Sequence, residues 1–128
     1  MAIANTGERT MSQTKNSATD WFKSATTKCE RGDFQDALTD HTKAIELEPN
    51  YTDAYYGRGL AKSSLQDYQG AIVDFTKAID LNPDHSDAFY SRANAYLGLG
   101  QKSKALADFM KTIDLGYSVP RKLLDQCR

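Results

Sequence analysis

The chain has 128 residues, of which 40% are hydrophobic and 26% charged, with 16 Lys and Arg against 17 Asp and Glu. This is the composition of one globular domain long enough to bury a continuous core without metal or disulfide support. A net charge of -1 argues against a dedicated nucleic-acid binder, which needs a basic stripe, and gives no reason for adsorption to an anionic membrane.

Residues 1–17 are rich in Thr, Ser, Asn and Gln and lack periodicity. They read as a flexible leader, native or appended, and lack the apolar stretch of a secretory signal. No apolar run approaches the length needed to cross a bilayer, so the cytoplasm is the default location. The two cysteines, Cys29 and Cys127, lie far apart. They are expected as free thiols of a reducing compartment, since nothing here looks like a cysteine-stapled scaffold.

From residue 18 onward the sequence repeats itself. Lys43-Ala44-Ile45-Glu46-Leu47-Glu48-Pro49-Asn50 returns as Lys77-Ala78-Ile79-Asp80-Leu81-Asn82-Pro83-Asp84, and then as Lys111-Thr112-Ile113-Asp114-Leu115-Gly116. Ala37, Ala71 and Ala105 are in the same 34-residue register, as are Asp40, Asp74 and Asp108, and Trp21, Tyr55 and Phe89. Three units follow, 18–51, 52–85 and 86–119. Within unit two, Tyr55, Gly59 and Lys62 fall on one helical face, with Leu65 beyond. Ala71, Phe75, Ala78 and Ile79 form a second stripe after a turn.

The breaks between helices read Gly32-Asp33-Phe34, Gln66-Asp67-Tyr68 and Gly100-Gln101-Lys102. Gly permits a left-handed helix end and Asp caps the next start. Pro49 and Pro83 stop the second helices, and Asp53 and Asp87 place negative charge at the following N-termini. Small residues, Gly59 and Ala93 in first helices and Ala37, Ala44, Ala71, Ala78 and Ala105 in second helices, mark close approaches. One hairpin cannot bury its stripe alone, so about three units are the practical minimum.

These units resemble tetratricopeptide repeats, whose pattern is matched in unit two by Tyr55, Gly59, Ala71, Phe75, Ala78 and Pro83. The resemblance covers residues 18 to about 119. It implies an all-α fold, an α-solenoid of three antiparallel helix hairpins. His41 stands in place of the aromatic in unit one, Thr112 in place of the second Ala in unit three, Tyr117 in place of Pro, and Lys102 in place of a seating aromatic. These departures read as edge effects of terminal units. The stretch 120–128 begins with Pro120 at a first helical position and brings Leu123, Leu124 and Cys127 to the open edge of unit three. It is similar to the short closing helix of many bacterial arrays, which makes a natural end of the chain here the expectation.

Arg58 and Arg92 stand where the family is usually aliphatic, on the side of a first helix that faces a second helix. Ion pairs are expected with the recurring aspartates. They run either within a unit (Arg58 with Asp74, Arg92 with Asp108) or across units (Arg58 with Asp40, Arg92 with Asp74).

Several strings imitate chemistry. Gly98-Leu99-Gly100-Gln101-Lys102-Ser103 resembles a phosphate loop, but Gln101 and Tyr96 occupy the places that loop reserves for glycine, and no strand precedes it. Arg31-Gly32-Asp33 falls on an inter-helix turn, where Gly-Asp is expected for conformational reasons. His41 and His85 have no partner at metal-ligand spacing. No catalytic residue, metal ligand or cofactor is assigned, and an enzyme is the third reading.

In tetratricopeptide arrays the first helices line a concave groove. That resemblance makes Phe22, Lys23, Thr26, Asp53, Tyr56, Leu60, Asp87, Tyr90 and Asn94 the candidate binding residues. Phe22, Tyr56 and Tyr90 are equivalent positions and are expected to form an aromatic ladder, whose alternative role is packing. Chaperone-binding members of the family grip a terminal carboxylate with Lys, Asn and Arg. The matching positions here are Phe22, Thr26, Gly57, Asp87 and Ser91, and none carries the required group. The acidic C-terminal tails of the major cytosolic chaperones are therefore not the expected partner. A segment with apolar or aromatic side chains and some positive charge fits better. The leading reading is a non-catalytic adaptor or scaffold that binds a peptide or protein of unknown identity. The alternative is a structural subunit that self-associates or caps an assembly.

Overall fold

Residues 16–128 are described by a computed structural model, in which seven α-helices and no strand follow one another. They are α1 (Ala18–Glu30), α2 (Phe34–Leu47), α3 (Thr52–Ser64), α4 (Tyr68–Leu81), α5 (Ser86–Gly98), α6 (Lys102–Asp114) and α7 (Arg121–Gln126). The expected leader lies outside the described residues, except for its last two. Of these Ser17 belongs to the fold: its hydroxyl accepts from Asp20 N–H and its own N–H donates to the Asp20 carboxylate, a reciprocal cap at the start of α1.

α1 pairs with α2, α3 with α4 and α5 with α6, and each second helix packs on the first helix of the next hairpin. The seams run through the small residues. Ala25, Ala37, Ala44, Gly59, Ala71, Ala78, Ala93 and Ala105 are buried, and so is Thr112 at the place of the second alanine. Thr112 satisfies its hydroxyl by donating to the Asp108 carbonyl of its own helix at 3.0 Å. Phe75 and Phe109 fill the hairpin cores at 0% exposure, and His41 fills the equivalent place in the first hairpin at 1%.

Each hairpin turns through one left-handed residue, Gly32 (φ +84°), Gln66 (φ +68°) or Gly100 (φ +75°). The residue after it returns its N–H to a carbonyl five positions back: Asp33 to Lys28, Asp67 to Lys62 and Gln101 to Tyr96. This satisfies carbonyls that the helix end leaves open. Gln66 bears the strain of a side chain in that region. Asp67 caps α4 by accepting from Gly70 N–H at 3.0 Å, whereas the Asp33 side chain makes no such bond. After α6 the same geometry recurs at Gly116 (φ +97°), with Tyr117 N–H on the Thr112 carbonyl. The third hairpin thus ends on a glycine turn, whereas the first two leave their second helices in extended backbone at Glu48 and Asn82, just before Pro49 and Pro83.

A second 34-residue rhythm lies between helices of a pair. Lys43, Lys77 and Lys111 stand over the rings of Trp21, Tyr55 and Phe89 at 4.6, 5.9 and 5.9 Å. Such contacts contribute about 0.5–1 kcal/mol each at exposed sites. Lys102, in place of the seating aromatic, donates to the Arg128 carbonyl at 3.2 Å and ties the start of α6 to the residue beyond α7.

Candidate functional site

The buried aspartates organise the hairpins from inside. Arg58 donates from Nε and Nη2 to the two carboxylate oxygens of Asp74 at 2.9 and 2.8 Å. Arg92 does the same to Asp108 at 2.7 and 2.8 Å. Both pairs lie within a hairpin. The cross-unit reach of each guanidinium ends on a threonine instead of an aspartate: Arg58 Nη1 donates to Thr42 at 3.1 Å and Arg92 Nη1 to Thr76 at 3.0 Å. Asp40 is occupied by Ser24, which stands where the arginine would be, at 2.6 Å, and by Lys28 at 2.8 Å. Burial disfavours the charge on Asp40, but bonds from Lys28 and Ser24 outweigh it and hold the carboxyl below its ordinary range. Lys62 joins Asp74 at 3.0 Å, the counterpart of Lys28.

With those charges paired off, the first helices present a different surface. α1, α3 and α5 border a cavity of about 590 Å³, with Phe34 and His41 of α2 completing its wall. Phe22, Thr26, Asp53, Tyr56, Leu60 and Asn94 of the candidate set line it, together with Cys29, Gly57, Ser63, Ser64 and Ser91. Asp87 and Tyr90 border a smaller cleft of about 280 Å³ with Thr112 and Tyr117. Lys23 lines neither and is exposed.

The aromatic positions are each anchored on the second helix of their own hairpin. Ring centroids are 5.6 Å apart for Phe22 and His41, 5.7 Å for Tyr56 and Phe75, and 5.7 Å for Tyr90 and Phe109. Phe22 also meets Tyr51 at 5.2 Å, and Tyr56 meets His85 at 4.9 Å. The three rings are half-buried, so packing and a presented edge coexist. The Tyr56 hydroxyl lies 3.2 Å from Ser91 Oγ, a hydrogen bond that joins α3 to α5 across the cavity. Burial, and secondarily Asp87, raise the Tyr56 phenol above its ordinary range against the pull of that bond.

Gly57 sets the depth of the cavity. A Cβ there would fall 2.5 Å from His41 Cε1, so only glycine lets the imidazole lie against the α3 backbone. His41 Nδ1 is buried without a hydrogen-bond partner. Burial, reinforced by the positive charge of Arg58, lowers its pKa to about 4, so the ring is neutral at pH 7. Cys29 is held protonated by burial, which is the opposite of what a nucleophile needs. Asp53 is the one charged side chain on the main cavity among the described residues.

Three family models match the chain. Tetratricopeptide repeat models match residues 52–85 and 75–107, and a TPR repeat model matches 27–66, together more than half of the sequence. The chain is a tetratricopeptide repeat protein. Among solved structures, this repeat protein is similar to the first TPR of Spaghetti (RPAP3) bound to the Hsp90 peptide SRMEEVD. The TM-score is 0.83 at 20% identity, over 86% of this chain and 89% of that one. The Arabidopsis OM64 TPR domain matches at TM-score 0.83 and 22% identity, over 87% and 93% of the two chains. The Yersinia enterocolitica type III secretion chaperone SycD, in complex with a peptide of the translocator YopD, matches at 0.79 and 14%, over 85% and 90%. At these identities the likeness is one of fold. No curated protein matches the sequence.

Two features of this repeat protein's site were not read from its sequence. Thr42 and Thr76 were missed as arginine acceptors because a half-buried threonine has no sequence signature. Phe34 and His41 were missed as groove wall because they belong to a second helix. Among the described residues no group of three His, Cys, Asp or Glu is placed to hold a metal ion, and no helix is long and apolar enough to cross a membrane.

Proposed function

We propose that this chain is a non-catalytic binding module that holds an extended segment of a partner protein across α1, α3 and α5. One observation carries the reading: a cavity of about 590 Å³ whose lining surface is mainly apolar, with Phe22, Phe34, Tyr56 and Leu60 on it beside hydroxyls, one amide and one carboxylate. This composition suits a bulky apolar side chain in the cavity, with Ser63, Ser64, Ser91 and Asn94 positioned to satisfy the backbone on either side. The charges nearby are Asp53 on the cavity and Asp87 on the cleft, both exposed, so a partner with Lys or Arg beside the apolar anchor is favoured. The peptide bound to the Spaghetti domain is acidic. Here the positions that would receive such a peptide are Phe22, Thr26, Gly57, Asp87 and Ser91, without one cation among them.

The test is calorimetric titration with two synthetic peptides, each built around the same Leu-Phe core. One is flanked by Lys and Arg and the other by Asp and Glu. The parent binds the basic peptide, and Leu60→Glu abolishes binding without changing the circular dichroism spectrum, since Leu60 is exposed. Equal binding of the acidic peptide refutes the charge preference. Undiminished binding by Leu60→Glu refutes the site.

A further inference from the structure

Each second helix turns an apolar stripe towards the C-terminal end of the array. In α2 the stripe is Leu38, Thr42 and Ile45, and in α4 it is Ile72, Thr76 and Ile79. The first helix of the next hairpin lies on it, with Arg58 on Thr42 and Arg92 on Thr76. In α6 the same positions are Leu106, Met110 and Ile113, continued by Tyr117, and they are 39, 46, 38 and 59% exposed. α7 does not cover them. Its leucines and the adjoining Cys127 pack in the cluster of Tyr96, Leu97, Ala105 and Phe109.

We infer that this stripe is a self-association face, on which α6 of a second copy packs antiparallel about a twofold axis. The substitution at its centre argues against a further hairpin as the occupant. Both interior joints end an arginine on a threonine hydroxyl, and Met110 offers no such acceptor, so an incoming arginine would be buried with one side unsatisfied. The opposite end of a second copy fits no better. α3 and α5 dock through buried Ala54 and Ala61, and Ala88 and Ala95, whereas α1 has Asp20 and Thr27 at those places and Ser24 in place of the arginine. Placing that polar face on Met110 and Leu106 would desolvate the Asp20 carboxylate, which accepts from the Ser17 N–H but would gain no cation there, so head-to-tail growth is disfavoured.

An isologous pairing sets apolar surface on apolar surface. The ends of the stripe fix its direction. Lys102 opens α6 and Asp114 closes it, so an antiparallel crossing brings each lysine end to the partner's aspartate end and opposes the helix dipoles. Met110, midway between Leu106 and Ile113, then faces its own copy near the axis. The stripe with its small neighbours Ser103 and Ala107 offers on the order of 500 Å² per copy, near the lower limit for a specific interface, so the dimer is a weak one.

Sedimentation equilibrium of the whole 128-residue chain, from about 10 μM to about 1 mM, spans the range where such an interface half-forms. The mass is expected to rise from 14.2 kDa towards twice that value, and Met110→Lys to hold it at the monomer. As a second reading, Met110→Cys forms a disulfide-linked dimer on mild oxidation while the parent, with Cys29 and Cys127 alone, does not. A parent that stays monomeric throughout, growth past the dimer, or a dimer indifferent to both substitutions overturns the inference.

Discussion

His41 offers the sharpest test of how burial governs this fold. The ring occupies the place that Phe75 and Phe109 hold in the other hairpins, at 1% exposure and with Nδ1 unpartnered. Its pKa is about 4 in the folded chain, against 6.5 for the free group. The folded state therefore binds fewer protons than the unfolded state between those values. Stability is complete above pH 6.5 and falls as the pH drops towards 4. The full gap corresponds to roughly 3 kcal/mol, of which about 2 kcal/mol is lost between pH 7 and pH 5. The charge of Arg58 adds to the shift, and those of Asp40 and Asp74 oppose it; Asp40, held below its ordinary range by Lys28 and Ser24, keeps its carboxylate over that interval. A comparison with His41→Phe, which restores the residue type of the other hairpins, isolates the imidazole. Urea unfolding followed by circular dichroism at both pH values gives the two stabilities. The parent is expected to lose about 2 kcal/mol more than the variant on acidification. Parallel losses in the two proteins would show that the ring is hydrated or hydrogen-bonded in solution and that the burial argument fails.

Further expectations follow from the turns and the seams. Gln66→Gly relieves a left-handed side chain and raises the thermal midpoint, by about 0.5–1 kcal/mol in stability after the added chain entropy of glycine; an unchanged or lowered midpoint contradicts the strain. Asp74→Ala strands Arg58 and Lys62 on a buried seam and costs about 3–5 kcal/mol in urea unfolding, while Asp40→Ala costs less because Lys28 is already a third exposed. Ala71→Leu overpacks a fully buried position and costs about 1–3 kcal/mol by the same assay.

The helical architecture was legible because period and punctuation agreed. The 34-residue register placed each pair of helices, and Pro49, Pro83, Gly32 and Gly100 marked their ends through backbone constraints that act locally. Asp33 shows the limit of local reading. It sits where Asp67 caps a helix, yet its carboxylate makes no such bond. The arginine pairings stayed open in the sequence because Asp40 and Asp74 are both one helix away from Arg58. What decides between them is that Ser24 and Lys28 have already claimed Asp40. The groove was legible as a set of first-helix positions but not as a shape. Asp87 and Tyr90 line a separate cleft with Thr112 and Tyr117, a division that position on a first helix does not reveal.

The arginine forks have a consequence for how such a chain can change length. Each guanidinium grips an aspartate 16 residues ahead and a threonine 16 residues behind, so every joint is written in the same relative address. Excision of residues 52–85 would bring Arg92 to Thr42 at the same separation, and a duplication of that block would supply the new unit with both of its own attachments. The joint is thus copied together with the segment it fastens, and insertion or loss of this middle hairpin leaves no orphaned charge to repair.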